Sequence, residues 1–476
     1  MNAILAVAIA ASLAFPSASF EPGFVHAAPG GAEAPGGAGF TLNGKPWRPF
    51  GCNYFDPEVG WAPKLWQRFD AGRVESHFRA MRELGVNVVR VFLTAGSFYR
   101  EPPSLEPEAL AKLDRLIAIA RKSGIRVHPT GPDHWEGTPA WRRGDFYAEP
   151  KALEAQVSFW KALAARYRDE PAIFAWDLLN EPHVRWGGPA MEAAWGAWLR
   201  EKYPDPQALR GAWGIDPKEG AFETGIPPDA PSASRRLLDY QRFRESVAER
   251  WVKAQVDAIR SVDPNHLVTV GLIQWSVPAL LGKPSQYAAF RPSRMAPLLD
   301  FLTIHFYPLR GDPNASEAAF DANLAYLEFV LRCARAGDPA KPLLVGEFGW
   351  YGGGAADGHP ERPAEDQARW CKAAVLQGRG IAAGWLNWAY ADTPESRDCT
   401  KFSGLVTAGG AVKAWGAAFR ELADHPESWA SPAPAPAAEV TFDFDRAIVD
   451  PEAGDAGLAA YAEAWKAARG ARLTVR

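Results

Sequence analysis

The sequence has little cysteine: four residues in 476, at Cys52, Cys333, Cys371 and Cys399. Four are too few for a disulfide scaffold. No CxxC and no Cys/His cluster is present, which removes the usual zinc-binding patterns. Cys333 and Cys371 fall on consecutive predicted helices and could pair; buried free thiols are the other reading. An excess of one charge is also missing. Lysine and arginine total 52 against 56 aspartates and glutamates, a formal net charge of −4. A chain so near neutrality, with no basic stripe, argues against nucleic acid as a partner. No apolar run after the N-terminus reaches membrane-spanning length. What is plentiful is core material: 47% of residues are hydrophobic and 23% charged, an ordinary globular balance. The 20 tryptophans supply part of that core. Their flat faces also suit stacking on sugar rings, so a carbohydrate partner is one reading of the composition.

Residues 3–15 (AILAVAIAASLAF) form an apolar run of signal-peptide length, too short to span a bilayer. Pro16 and small residues follow, and cleavage near Ala18 or after Ala27 would fit, although no Lys or Arg precedes the run. The expectation is a leader within 1–27 and a secreted or periplasmic product. Gly, Ala and Pro then dominate (APGGAEAPGGAG), and 28–39 reads as a flexible linker.

From residue 40 the chain alternates between β-type runs and amphipathic helices. The strand-like runs are 47–54, 86–93, 125–131, 173–180, 267–273, 301–307, 343–348 and 382–388. Several are apolar on both faces, as a buried parallel sheet requires. Their starts are 39, 39, 48, 94, 34, 42 and 39 residues apart. Eight strands at such spacing predict an α/β fold, a (β/α)₈ TIM barrel over 40–430. A doubly wound sheet is the alternative, but no GxGxxG follows the first strand. The 94-residue interval marks an insertion after strand four, 183–233, expected to shape the cleft because active sites lie at the C-terminal ends of barrel strands. SPAPAPAA at 431–438 reads as a Pro/Ala linker. Residues 439–476 resemble strand–helix–strand, too small to fold alone and expected to pack on the barrel.

Two strands end in a glutamate. Strand four finishes WDLLNEP, with Glu181, and strand seven finishes LLVGEFG, with Glu347. A single such residue reads as an ion pair at the rim. Two, projecting from opposite sides of one barrel mouth, are a candidate acid and base. Retaining glycosidases need two carboxyls about 5–5.5 Å apart, a separation these strands can provide.

Taken in order, WDLLNEP, LLVGEFG, FLTIHFYP, NVVRVF and GWLNW resemble glycoside hydrolase clan A, family 5 in particular, over about 40–425. The resemblance implies Glu181 as acid/base and Glu347 as nucleophile. It implies Asn180 on the sugar 2-OH, Arg90 and Tyr307 holding Glu347, His305 beside them, and Trp388 under the sugar being cleaved. Strand three departs from the family pattern. HPTGPDHW offers His128, Asp133, His134 and Trp135, of which His134 and Trp135 are the candidates for substrate contact. WLREKYPDPQALRGAWG (198–214) with PSASRRLLDYQRF resembles instead a segment of family 42 β-galactosidases. The implied activity is retaining hydrolysis of β-linked hexopyranosides, of β-1,4-mannan or β-glucan type. An exo-acting β-galactosidase or β-mannosidase is an alternative, and a non-catalytic carbohydrate-binding barrel is a reading from another class. Neither a cofactor nor a metal is implied.

Overall fold

Eight parallel strands close into a barrel, each bonded to the next in sequence and the last to the first. They are β1 (Phe50–Asn53), β2 (Val88–Thr94), β3 (Arg126–Asp133), β4 (Ala175–Asn180), β5 (Leu267–Leu272), β6 (Leu302–Phe306), β7 (Leu343–Phe348) and β8 (Gly384–Asn387). The computed structural model describes residues 20–30, 38–214, 222–227, 234–431, 438–468 and 470–476. All seven residues of β2 (VVRVFLT) are buried. β-Branched and aromatic side chains fit such a two-sided environment.

Helices cover the outside. Asp70 caps the helix Ala71–Glu83 by accepting from the Arg73 N–H, satisfying one of its orphan donors. The helix Pro107–Lys122 opens on a proline and buries Leu113, Leu116, Ile117 and Ala120 on one face. The 26-residue helix Arg235–Arg260 buries a long apolar stripe that includes Tyr240, Phe243, Val247 and Trp251.

The structure departs from the sequence reading in four places. Trp47 belongs not to the first barrel strand but to an antiparallel sheet formed by 25–28, 39–42 and 45–47. This sheet sits under the barrel, where Phe40 packs edge-on against Phe174 and Phe301. Residues 25–28, which the reading divides between leader and linker, form one of its strands. All four cysteines are free, so Cys333 and Cys371 do not pair. The described helices of the insertion pack on the outer layer rather than at the barrel mouth. Its helices Pro189–Lys202 and Pro206–Trp213 lie along the helix Arg235–Arg260, with Trp195 against Tyr240 and Phe243. Burying those rings on the outer layer offers more apolar contact than a solvated cleft rim. The predicted leader up to residue 19, and the linker residues 31–37 and 432–437, lie outside the described residues.

The outer layer is thin after β5, where the longest described helix before β6 is Pro292–Met295. The C-terminal extension occupies this gap. Its strands Ala438–Phe442 and Ala471–Val475 pair in parallel around the helix Pro451–Ala468. Asp445 pairs with both Arg242 and Arg291. On the other flank, buried Glu328 accepts from Tyr461 Oη (2.9 Å) and Trp465 Nε1 (3.0 Å). The extension thus joins the helices Arg235–Arg260 and Glu317–Arg335 across the position of a fifth outer helix.

Candidate active site

Strand β4 ends at Asn180, and Glu181 follows with φ +46°. That left-handed conformation, uncommon for a residue with a Cβ, is held by the Glu181 N–H donating to Gly271 O at 2.9 Å. Glu347 lies near the end of β7. A Glu181 oxygen, a Glu347 oxygen and a His305 ring nitrogen all fall within 4.8 Å of one another. Two carboxyls this close leave no room for a water to attack between them, the spacing of double displacement rather than inversion.

Arg90, fully buried in β2, organises the floor. It donates to Glu347 Oε1 (2.6 Å), Asp177 Oδ2 (2.8 Å), Asn180 Oδ1 (2.9 Å) and Asn53 Oδ1 (3.0 Å). Tyr307 Oη donates to Glu347 Oε2 at 3.0 Å. Both oxygens of Glu347 are therefore fixed. Asn180 gives its carbonyl to Arg90 and so keeps its amide N–H groups for a ligand. His305 Nδ1 stands 3.0 Å from Glu181 Oε1 and 3.3 Å from Glu347 Oε1. Two glycines make room for that ring. A β-carbon at Gly271 would lie 2.9 Å from His305 Nε2, and one at Gly346 would lie 3.1 Å from the same atom.

The environments of the two carboxyls differ. Burial raises Glu181 to about 7, opposed by the charge of Arg90, although 29% of its side chain still reaches the cleft. Burial raises Glu347 as well, opposed by the charge of Arg90, which is also hydrogen-bonded to it. Burial drives His305 down to about 4, so the ring is neutral near pH 7. Where two acids share a site, the one without a bonded cation is suited to carry the proton.

Above this floor is a cleft of 630 Å³ lined by five tryptophans: Trp61, Trp135, Trp275, Trp350 and Trp388. The structure brings Arg90, Asn180, Glu181, His305, Tyr307, Glu347 and Trp388 to one centre, with Trp135 on its wall. His134 does not belong there. It is exposed beyond the end of β3, just after a register shift against β2 between Thr130 and Asp133. His128 is buried inside β3, its Nδ1 against Ala175 O at 2.8 Å. No described residue of the insertion lines the cleft.

Asp177, Asn53, Gln274 and Trp61 were missed. Asp177 had a signal, being a charge within an apolar strand that demands a buried partner. Gln274 fixes Tyr307 by accepting from its N–H (2.9 Å) and donating to its carbonyl (3.0 Å); the sequence offers no cue for it.

A parallel eight-stranded barrel with paired carboxyls on β4 and β7 defines a retaining O-glycosyl hydrolase of clan A. The profile of "Cellulase (glycosyl hydrolase family 5)" matches residues 41–393, and the chain belongs to that family. Mannan endo-1,4-β-mannosidase 7 of Arabidopsis thaliana is 23% identical over 362 residues, 67% of this chain and 68% of that protein. A β-galactosidase of an Arthrobacter species is 32% identical over 238 residues, 44% of this chain and 33% of its own length. A solved GH5_18 structure from Streptomyces cattleya, in complex with Manβ1-4GlcNAc, superimposes with a TM-score of 0.65. It is 20% identical, covering 90% of this chain and 94% of that one.

Proposed function

We propose that the protein hydrolyses β-mannosidic bonds of mannan-type saccharides by double displacement, with Glu347 as nucleophile and Glu181 as acid/base. The observation that carries the mechanism is the Glu181–Glu347 approach within 4.8 Å, with Arg90 bonded to Glu347 alone of the pair. The mannosidase names of relatives support the sugar. Glu347 attacks the anomeric carbon while Glu181 protonates the departing oxygen. Glu181 then takes a proton from water, which displaces Glu347. Asn180 donates to the 2-OH, Tyr307 and Arg90 orient the nucleophile, and Trp388 stacks beneath the ring. NMR of the first-formed product from a β-mannoside is expected to show the β-anomer; the α-anomer would exclude this mechanism.

The first step requires protonated Glu181 and ionised Glu347. On the alkaline side, kcat/KM is expected to fall as pH rises through about 7, where Glu181 loses its proton. On the acid side it falls as Glu347 takes one up. With an activated aryl leaving group the alkaline limb should vanish in Glu181→Ala, and its persistence would assign that limb to another group.

We further propose export, with processing close to Ala18. Phe20 lies 4.8 Å from the guanidinium of Arg126, which also donates to Glu21 O, and Val25 is 2% exposed. Cleavage after Ala27 would discard all three contacts. The mass of the exported protein should show a loss near 18 residues rather than 27.

A further inference from the structure

The three loops that follow β6, β7 and β8 are bonded into one wall. Arg362, on the hairpin formed by 354–356 and 359–362 after β7, donates to Asp312 Oδ2 after β6 at 2.7 Å. Trp350 Nε1 reaches the other Asp312 oxygen at 3.3 Å. The hairpin tip bonds to the loop after β8 through the Asp357 N–H and Arg397 O (3.2 Å), and its base through the Gly352 N–H and Phe402 O (3.2 Å). That last loop is anchored by Lys413, which donates to Asp392 (2.8 Å) and to Phe402 O (2.7 Å). Aromatic rings seal the adjoining arc from β8 to β3. Trp61 contacts Trp388 at 5.9 Å and Trp135 at 4.9 Å between ring centres. Bonded loops and packed rings therefore border the cleft from β6 through β8 and β1 to β3, while Glu181 and Trp275 line it on the side of β4 and β5.

Resting on the double-displacement reading above, the geometry points to an exo-acting enzyme that removes a single sugar from the non-reducing end of short β-linked oligosaccharides. The nucleophile and the leaving group occupy opposite faces of the anomeric carbon. With Glu347 on β7 and Glu181 on β4, the aglycone departs on the Glu181 side. The opposite end of the ring, carrying the 4-OH, then faces the wall. Asp357, His359 and Asp398 line the cleft there. Carboxylates accept strong hydrogen bonds from hydroxyls. In a β-1,4 chain only the terminal sugar has a free 4-OH. A site built to bind a hydroxyl strongly rejects a ligand that lacks it, and the bonded wall stands on the side where a further ring would have to extend.

The test uses the full-length protein, 4-nitrophenyl β-mannoside, and reducing-end-labelled mannotetraose, native or 4-O-methylated on its terminal sugar. Expected are hydrolysis of the aryl glycoside, mannose and labelled mannotriose as first products, and at least 100-fold slower cleavage of the methylated chain. Asp357→Ala with Asp398→Ala should narrow that discrimination tenfold or more by raising KM for the native chain. Internal cleavage of the methylated chain at the native rate would overturn the inference while leaving the hydrolase reading intact. If no mannoside is cut, the mannan-type reading fails, and the same native and methylated pair in the cello- and galacto-series decides the wall.

Discussion

Glu347→Gly is expected to lose activity on the order of 10⁴-fold or more, because the covalent step has no nucleophile. Azide can then enter the vacated face and give an α-glycosyl azide. Glu181→Ala should fail differently. An aryl glycoside with a good leaving group needs little protonation, so the glycosyl-enzyme still forms, but its hydrolysis lacks a general base. A burst of phenol followed by slow turnover should result. Azide needs no base and should restore turnover with a β-glycosyl azide as product. NMR of the two azides distinguishes the roles. Exchanged anomers would reverse the assignment, and full activity in both variants would move the active site elsewhere.

The second large effect is expected at Arg90. The side chain is fully buried between Asp177 and Glu347. Arg90→Met leaves two carboxylates without their cation, and breaking such a buried cluster costs about 3–5 kcal/mol, measurable by urea unfolding. Arg90→Lys keeps the charge but not the planar fork that reaches Asn53, Asp177, Asn180 and Glu347 together. It should remain folded and lose activity on the order of 10²–10³-fold, as for a removed electrostatic contact. Its acid limb should move to higher pH, because a weaker cation lets Glu347 hold its proton longer. An unmoved limb would show that Arg90 does not hold the nucleophile ionised.

The barrel was legible because each strand is a short apolar run, and because Glu181 and Glu347 interrupt such runs where a charge must have a purpose. Arg90 was legible on the same ground, set in a strand otherwise apolar on both faces. His134 was not, since a residue past a strand end takes its direction from the loop, and period-two alternation stops there. The insertion misled through its place after strand four, where barrel loops usually border the active site; its Trp195 and Trp213 stack against each other at 6.2 Å on the outside of the barrel. The cleft instead uses Trp61 and Trp275, whose neighbours in sequence carry no periodic signal. The loop wall depends on pairings such as Arg362 with Asp312, 50 residues apart, that no local pattern announces.

The C-terminal extension makes this barrel finish late. Gln241, in the outer helix after β4, donates to Ile448 O across 207 residues, and Glu328 waits for Tyr461 and Trp465. A ribosome or a translocase delivers these partners only after every barrel strand. Until then the flank beside β5 exposes apolar surface that the finished molecule hides. Contacts so distant in sequence slow folding, and a partly built barrel with an uncovered flank invites association with others like it. Chains that lack residues 439–476 would thus be marked for aggregation or proteolysis before a substrate could reach them.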